Sequence, residues 1–289
     1  MNIDDFSKSI GGILETINNS AIMRSIKSIS NMFSETIFSK SFYELIERER
    51  KRVDELKDLD YEAYNNHFNK KISNAVELGK YGWVLSPHSF MGGESELVKK
   101  LQNGKTEKSC IKYFFKNQYS VLLEIKELKE TYAQKSNLKL YFDEFEKHYK
   151  KRDYMASAFF LSGVLENRMK YAFKDTDIKR YNKIIEKGIN SRKELYFNKA
   201  KEDGNYHISI FIITEFLPSF QEYAKRTFTE DHTTNIEDPA NEPLYFNRSW
   251  LVHGVRTRKV ERYEILQMIN ALSCLEAIIE ALEKYKLLQ

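Results

Sequence analysis

The feature that most constrains the fold of this chain is a regular spacing of large apolar residues near its C-terminus. These residues recur at alternating intervals of three and four: Ile265, Met268, Leu272, Leu275, Ile279 and Leu282. Such intervals place all six on one face of an α-helix, because a helical turn takes 3.6 residues. We therefore predict a helix from about Lys259 to Leu288 that packs in a bundle or a coiled coil.

The rest of the chain also favours helices over strands. Only 4 Pro and 11 Gly occur in 289 residues, too few for the many turns of a sandwich or barrel. A helix is predicted over Tyr154–Phe173, and its small and apolar residues place it at the centre of a bundle. The Ile-rich segment Tyr206–Phe228 is long enough for a helix, with a kink or boundary at Pro218. The predicted fold class is all-α, a helical bundle preceded by a second helical region.

Length and local composition suggest how the chain divides. A chain of 289 residues is one large domain or two of ordinary size. A highly charged stretch ends near residue 150, and we place a domain boundary there. Residues 1–150 then form an N-terminal helical region of unknown role, in which the first 45 residues read as an amphipathic helix. Trp83 and Pro87 mark a packed turn within it.

Composition excludes several classes of protein. The chain has two cysteines, Cys110 and Cys274, too few for a disulfide framework or a thiolate zinc cluster. No uninterrupted run of about 18 apolar residues occurs, so we expect no membrane span. We expect a cytoplasmic protein that needs no metal or other cofactor. The formal charge of +4 permits a nucleic acid as partner without requiring one.

The residues best suited to chemistry lie just before the last helix. Three polar residues, Asn247, Arg248 and His253, stand among apolar ones that we expect to anchor the segment in the core: Phe246, Trp250, Leu251 and Val252. A histidine exchanges protons near neutral pH, and an arginine grips phosphate through two hydrogen bonds. RNA carries its own nucleophile, the 2′-hydroxyl. These residue types therefore suit phosphodiester cleavage, with Asn247 orienting a partner or bonding the ribose.

Basic residues follow this segment directly. Arg256, Arg258 and Lys259 offer a local positive patch for a nucleic-acid backbone.

The spacing of Arg248 and His253 also has a simpler interpretation, in which His253 is a structural residue. A histidine five residues after an arginine lies about 140° away around an ideal helix, and buried structural histidines are common.

An acidic residue interrupts the predicted helix Tyr154–Phe173. Glu166 lies among apolar neighbours, and an unpaired buried carboxylate is costly. We therefore expect a cationic or donor partner for Glu166.

The segment Asn247–Gly254, with the sequence NRSWLVHG, resembles the signature of the HEPN superfamily (higher eukaryotes and prokaryotes nucleotide-binding). In that signature an arginine, commonly beside a polar residue, is followed four to six residues later by histidine. The sequence LSGVLEN around Glu166 also resembles an early core helix of this superfamily. The resemblance covers residues 150–289 and is nearest to bacterial proteins of the abortive-infection type.

The resemblance implies a fold, an activity and partners. HEPN proteins are helical bundles that typically dimerise, with two Arg/His pairs facing one cleft. Many are metal-independent endoribonucleases of antiphage defence or toxin–antitoxin systems. By this resemblance His253 is the general acid/base, Arg248 stabilises the phosphate, Asn247 is the auxiliary polar residue and Glu166 supports the site. The expected partners are RNA, a second copy of the chain, and a regulatory protein or phage component as trigger.

Two alternatives remain open at this point. In the first, the chain is a catalytically inactive HEPN-like protein that binds RNA or a nucleotide, as a scaffold or an antitoxin-like partner. In the second, the chain is a purely structural helical protein, and His253 is a capped core residue.

Overall fold

The computed structural model describes residues 59–87, 94–104, 110–115, 118–173, 183–203, 211–228, 242 and 245–288. Every regular element among these residues is a helix. The predicted all-α fold class is therefore confirmed. The predicted helix in the first 45 residues lies outside the described residues, as does most of the segment before α1.

We number the helices in chain order over the described residues. The first six are α1 Tyr61–His67, α2 Asn69–Lys80, α3 Glu94–Gln102, α4 Ile111–Phe114, α5 Gln118–Tyr132 and α6 Ser136–Lys150. The next five are α7 Tyr154–Phe173, α8 Ile189–Glu202, α9 Leu217–Phe228, α10 Arg248–Val252 and α11 Arg262–Lys284. Wider π-helical turns, Ile184–Gly188 and Ile212–Phe216, lead directly into α8 and α9.

Residues Leu59–Gln289 form one compact unit. The position of the boundary predicted near residue 150 falls in the short turn between α6 and α7, and these two helices pack along each other. Helix α2 likewise packs against α9, far along the chain. Residues on both sides of position 150 therefore share one core.

Helix α11 lies at the centre of this core. All six residues of the predicted seam are at most 2% exposed, and α11 contacts α5, α7 and α9. Burial on nearly every side fits a bundle and not a two-stranded coiled coil. The helix begins at Arg262, slightly later than predicted, because Glu261 and Glu264 form a reciprocal capping box there.

The apolar character of α11 also bears on membranes. By length and mean composition the helix could cross a bilayer, although polar residues interrupt it and it holds no uninterrupted run of about 18 apolar residues. However, 89% of its apolar window is buried inside the protein. This burial is what the core helix of a soluble protein has.

Helix α7 matches its predicted bounds, but its predicted central position is only half right. One face, which includes Leu161, Val164 and Leu165, is fully buried. The opposite face leaves Met155 and Phe159 42% and 49% exposed. An apolar sequence thus packs on one side only and leaves an apolar surface on the other.

A buried polar network joins three of the core helices. The guanidinium of Arg168 on α7 donates to both carboxylate oxygens of Glu276 on α11, at 2.6 and 2.9 Å. The hydroxyl of Tyr132 on α5 donates to the same carboxylate at 2.8 Å. Burial, with the nearby carboxylate, raises the pKa of Tyr132 well above its ordinary value. The paired charges satisfy each other, which buried charges require.

Two predicted irregularities are confirmed. Pro218 is the second residue of α9, directly after a π-helical turn. Proline has no N–H to donate, so the regular hydrogen-bond pattern is interrupted there. Trp83 is fully buried and stacks on Phe114 with ring centroids 4.5 Å apart. His88, one residue after Pro87 in the sequence, lies outside the described residues.

Truncation of Leu272 tests the central position of α11. Because Leu272 is fully buried, Leu272→Ala should lower the free energy of unfolding by about 2–5 kcal/mol. Leu140 is 63% exposed, so the matched change Leu140→Ala should stay within about 0.5 kcal/mol of the original protein. Urea unfolding followed by circular dichroism measures both. Equal effects of the two changes would contradict the described core.

Candidate functional site

The candidate site is built on α10, a helix of a single turn. Asn247 is its N-cap, in an extended backbone conformation. The Oδ1 atom of Asn247 accepts hydrogen bonds from the backbone amides of Ser249 at 2.9 Å and Trp250 at 3.3 Å. Its Nδ2 atom donates to the carbonyl of Arg226 at 3.3 Å. The amide of Asn247 thus begins the helix and ties it to α9.

The side chain of Asn247 is therefore used inside the protein. The residue is only 3% exposed. Of the two roles considered from the sequence, orienting the site and bonding the ribose, its contacts favour the first. Asn247 acts on Arg248 through the backbone, since it fixes the turn that Arg248 begins.

Two of the four expected apolar anchors hold this turn in the core. Phe246 and Trp250 are 4% and 5% exposed. Leu251 is partly exposed, and Val252 is 40% exposed, so the expectation that Val252 is an anchor was wrong. A single helical turn has room for only one buried face, and Val252 lies off that face.

Arg248 is held by a carboxylate from the core. A guanidinium nitrogen of Arg248 lies 2.8 Å from Oε2 of Glu166 on α7. The other oxygen, Oε1, accepts a hydrogen bond from Lys170 at 2.7 Å. The side chains of Arg248 and Glu166 are 24% and 16% exposed. The predicted cationic partner of Glu166 is thus confirmed, and there are two.

His253 lies at the other end of the same turn. It is the C-cap of α10, and its backbone amide donates to the carbonyl of Ser249 at 3.0 Å. The residue is exposed to solvent. The next residue, Gly254, has a φ of +70°, which reverses the chain at once and favours glycine. His253 is therefore an exposed residue, so the description of it as a capped core histidine was wrong.

The geometry of one turn limits how Arg248 and His253 meet. Their Cα atoms are about 8 Å apart along the axis of an ideal helix, and the side chains diverge by about 140°. Arg248 reaches back to α7, while His253 stays at the solvent-exposed end. Arg248 and His253 therefore stand at the two ends of one helical turn and do not share a helix face.

The expected basic patch has a different arrangement from the one predicted. The Arg256 side chain is only 2% exposed and makes two hydrogen bonds to Glu264, at 3.0 and 2.9 Å. The Glu264 side chain is fully buried. The Arg256 guanidinium also lies over the Phe246 ring, 5.6 Å from its centre. The Arg256 guanidinium is thus already paired inside the protein.

The other two basic residues differ from Arg256 and from each other. Arg258 is 26% exposed and donates to Glu264 at 2.8 Å. Its backbone amide and the Thr257 hydroxyl both donate to Glu242. Partial burial raises the pKa of Glu242, but these hydrogen bonds outweigh burial and hold the pKa below its usual value. Of the three predicted phosphate-binding residues, Lys259 is exposed, while Arg256 and Arg258 are partly buried.

A groove that the sequence did not predict lies beside the motif. It has a volume of about 520 Å³ and separates the start of α7 from the end of α10. Seven residues line it: Asp153, Met155, Ala156, Phe159, Leu251, Gly254 and Arg256. Leu251 and Gly254 flank His253 in the chain, so the groove adjoins the exposed end of the site. Met155 and Phe159 are four residues apart and therefore lie on the same face of α7. The sequence does not distinguish that face from the buried one, because both are apolar.

No cluster of metal ligands accompanies the site. Within the described ranges, no three His, Cys, Asp or Glu side chains converge as they would around a metal ion. Comparison of the chain with protein-family models, curated proteins and solved structures gives no match.

Removal of the Asn247 cap tests the assembly of the turn. Asn247→Ala should lower the free energy of unfolding by about 1 kcal/mol, because two backbone amides lose their acceptor. Asn247→Asp keeps that acceptor and should recover part of the loss. Thermal unfolding of the three proteins measures the difference. Equal stability of the alanine variant and the original protein would contradict a capping role.

Proposed function

We propose that this protein is an endoribonuclease that uses Arg248 and His253 and requires no metal ion. The observation that supports this proposal best is the joint placement of the two residues. Arg248 is held by its ion pair with Glu166. His253 is exposed at the other end of the turn, between two residues of which Gly254 lines the groove beside α10. Cleavage of RNA by its own 2′-hydroxyl needs a positioned positive charge and an accessible group that transfers protons. Arg248 and His253 can supply these two groups.

The proposed reaction is an internal transfer within the RNA. The imidazole of His253 takes the proton of the 2′-hydroxyl, and the 2′-oxygen forms a bond to the adjacent phosphorus. The bond from phosphorus to the 5′-oxygen breaks, and that oxygen leaves with a proton from a second acid. The products are a 2′,3′-cyclic phosphate and a 5′-hydroxyl. Arg248 stabilises the charge that grows on the phosphate oxygens.

The second acid is provided most simply by a second copy of the chain. We propose that two copies meet through the apolar surface of Met155, Phe159 and Val252, which are each at least 40% exposed. Exposed large apolar side chains grouped in this way are typical of protein interfaces. Since this surface adjoins the end of α10, the dimer brings two His253 side chains to one cleft.

The biological setting of this proposal comes from the HEPN resemblance. It is RNA cleavage in the cytoplasm of a bacterium, as part of antiphage defence, abortive infection or a toxin-like system. A regulatory protein or a phage component would trigger the activity.

A second candidate function is RNA or nucleotide binding without cleavage. One observation favours it: the positive charges near the motif are largely compensated inside the protein. Glu166 pairs with Arg248, and Glu264 pairs with Arg256 and Arg258. An inactive scaffold or antitoxin-like partner would tolerate this pairing, because it does not need to stabilise a transition state. Nucleotide binding without any RNA cleavage would support this candidate.

Removal of the imidazole tests the nuclease directly. We expect the purified protein to cleave RNA in the presence of EDTA, and His253→Ala to reduce the rate about 10²–10⁴-fold, as loss of a general acid/base does. The measurement is the release of fragments with cyclic phosphate ends from a labelled RNA. His67 is also exposed, so His67→Ala is the matched control and should keep full activity.

Two results of this assay would reject the assignment of His253. One is full cleavage by His253→Ala, and the other is an equal loss in both variants. Loss of activity in EDTA with recovery on addition of Mg²⁺ would instead reject the metal-independent reaction.

The proposed dimer is tested by placing a charge on its surface. Phe159→Lys should convert the dimer to a monomer, because an ammonium group cannot be buried without a partner. Leu140 is even more exposed but lies on α6, so Leu140→Lys should leave the dimer intact. Sedimentation equilibrium measures both masses. A monomeric original protein, or a dimer that survives Phe159→Lys, would contradict the proposed interface.

A further inference from the structure

A second groove lies between α5 and α6. Its volume is about 550 Å³. Lysines and carboxylates line it: Lys129, Lys139, Lys147, Lys150 and Lys151 with Asp143 and Glu146. We call it the lysine groove. Five lysines against two carboxylates leave the lining with a net charge of +3. Glu144 beside the groove pairs with Lys147 at 2.9 Å, so the local excess is two positive charges.

The two carboxylates hold three of the lysines in position. Glu146 lies 2.5 Å from both Lys129 and Lys150, and Asp143 pairs with Lys139 at 2.5 Å. The hydrogen bond to Glu146 raises the pKa of Lys129, so that lysine remains charged at neutral pH. An ammonium group has three N–H donors. Each paired lysine therefore keeps donors for a further acceptor.

Three lysines, two of them in ion pairs, extend the charge to the end of α6. Lys147 and Lys150 are 54% and 63% exposed, and Lys151 is exposed in the turn that follows. From Lys139 to Lys150 the groove follows about 16 Å of helix at 1.5 Å per residue. This distance suits an extended chain of negative groups better than a single small anion.

The lysine groove leads toward the candidate site. Lys150 and Lys151 line the lysine groove, and Asp153 lines the groove beside α10. Only the short turn between α6 and α7 separates them in the chain. An RNA strand bound at the end of α10 would therefore need to cross only this turn to reach the lysines.

From this arrangement we infer that the lysine groove binds the phosphate backbone of single-stranded RNA next to the cleavage site. The inference rests on the proposed function for the identity of the polyanion. Lysine is a compact point charge that binds phosphate oxygens without a fixed geometry. The residues that line the groove include no aromatic ring for base stacking. The contact is thus with the backbone and independent of base sequence.

The test measures RNA affinity as a function of salt concentration. The probe is a labelled single-stranded RNA with 2′-O-methyl groups, which lacks the nucleophile and cannot be cleaved. The variant carries Lys147→Gln, Lys150→Gln and Lys151→Gln, and Glu146 keeps its pair with Lys129. We expect about 10-fold weaker binding, and a slope of log K against log salt smaller by about 2, as for three lost phosphate contacts.

The matched control removes the same charge elsewhere. Lys99, Lys187 and Lys199 are exposed lysines outside the groove, and their change to Gln should leave affinity and slope unchanged. A second variant, Lys129→Gln with Lys139→Gln, should lower the slope by about 1. Circular dichroism melting verifies that each variant is folded. Equal losses in the groove and control variants, or no binding of the RNA by the original protein, would overturn the inference.

Failure of the inference and failure of the proposed function give different results. If unmodified RNA is not cleaved but the groove variant alone loses affinity, RNA binding by the lysine groove is supported and the nuclease activity is rejected. If unmodified RNA is cleaved while the groove variant binds like the control, the nuclease activity is supported and RNA binding by the lysine groove is rejected.

Discussion

The position of Arg248 depends on one carboxylate that the core helix α7 presents to the short helix α10. Glu166 is largely withdrawn from solvent, and Arg248 and Lys170 provide its positive partners. The cap of Asn247 and the burial of Trp250 determine where the turn starts. Together these contacts leave His253 at the exposed end. The arrangement of the site therefore follows from pairing a partly buried carboxylate.

Much of the fold was predictable because helical periodicity is a local property of the sequence. The seam of α11 follows from residue spacing, the helix α7 from its run of small and apolar residues, and the interruption at Pro218 from the missing N–H of proline. Spacing does not reveal which apolar faces meet other helices. For that reason α7 was assigned to the centre of the bundle, although Phe159 is half exposed. The central helix is instead α11, which is buried on nearly all sides.

The site was predictable only in part, for a similar reason. The identity of Glu166 as a charge in need of a partner followed from burial, and its pairing with Arg248 is confirmed. The use of Arg256 inside the core was not foreseen, because Glu264 reads in the sequence as one residue of an amphipathic helix. Only the folded chain brings the Glu264 carboxylate within hydrogen-bond distance of the Arg256 guanidinium. Contacts between distant segments of this kind carry no local signal.

The most direct test of this description is a double-mutant cycle on RNA cleavage that joins Glu166 and Arg248. The rates, as kcat/KM, are measured for Glu166→Gln, Arg248→Ala, the double variant and the original protein. If Glu166 acts by positioning Arg248, Glu166→Gln slows cleavage when Arg248 is present and has no further effect in the Arg248→Ala background. Independent effects, which multiply in the double variant, would contradict the central role of this ion pair.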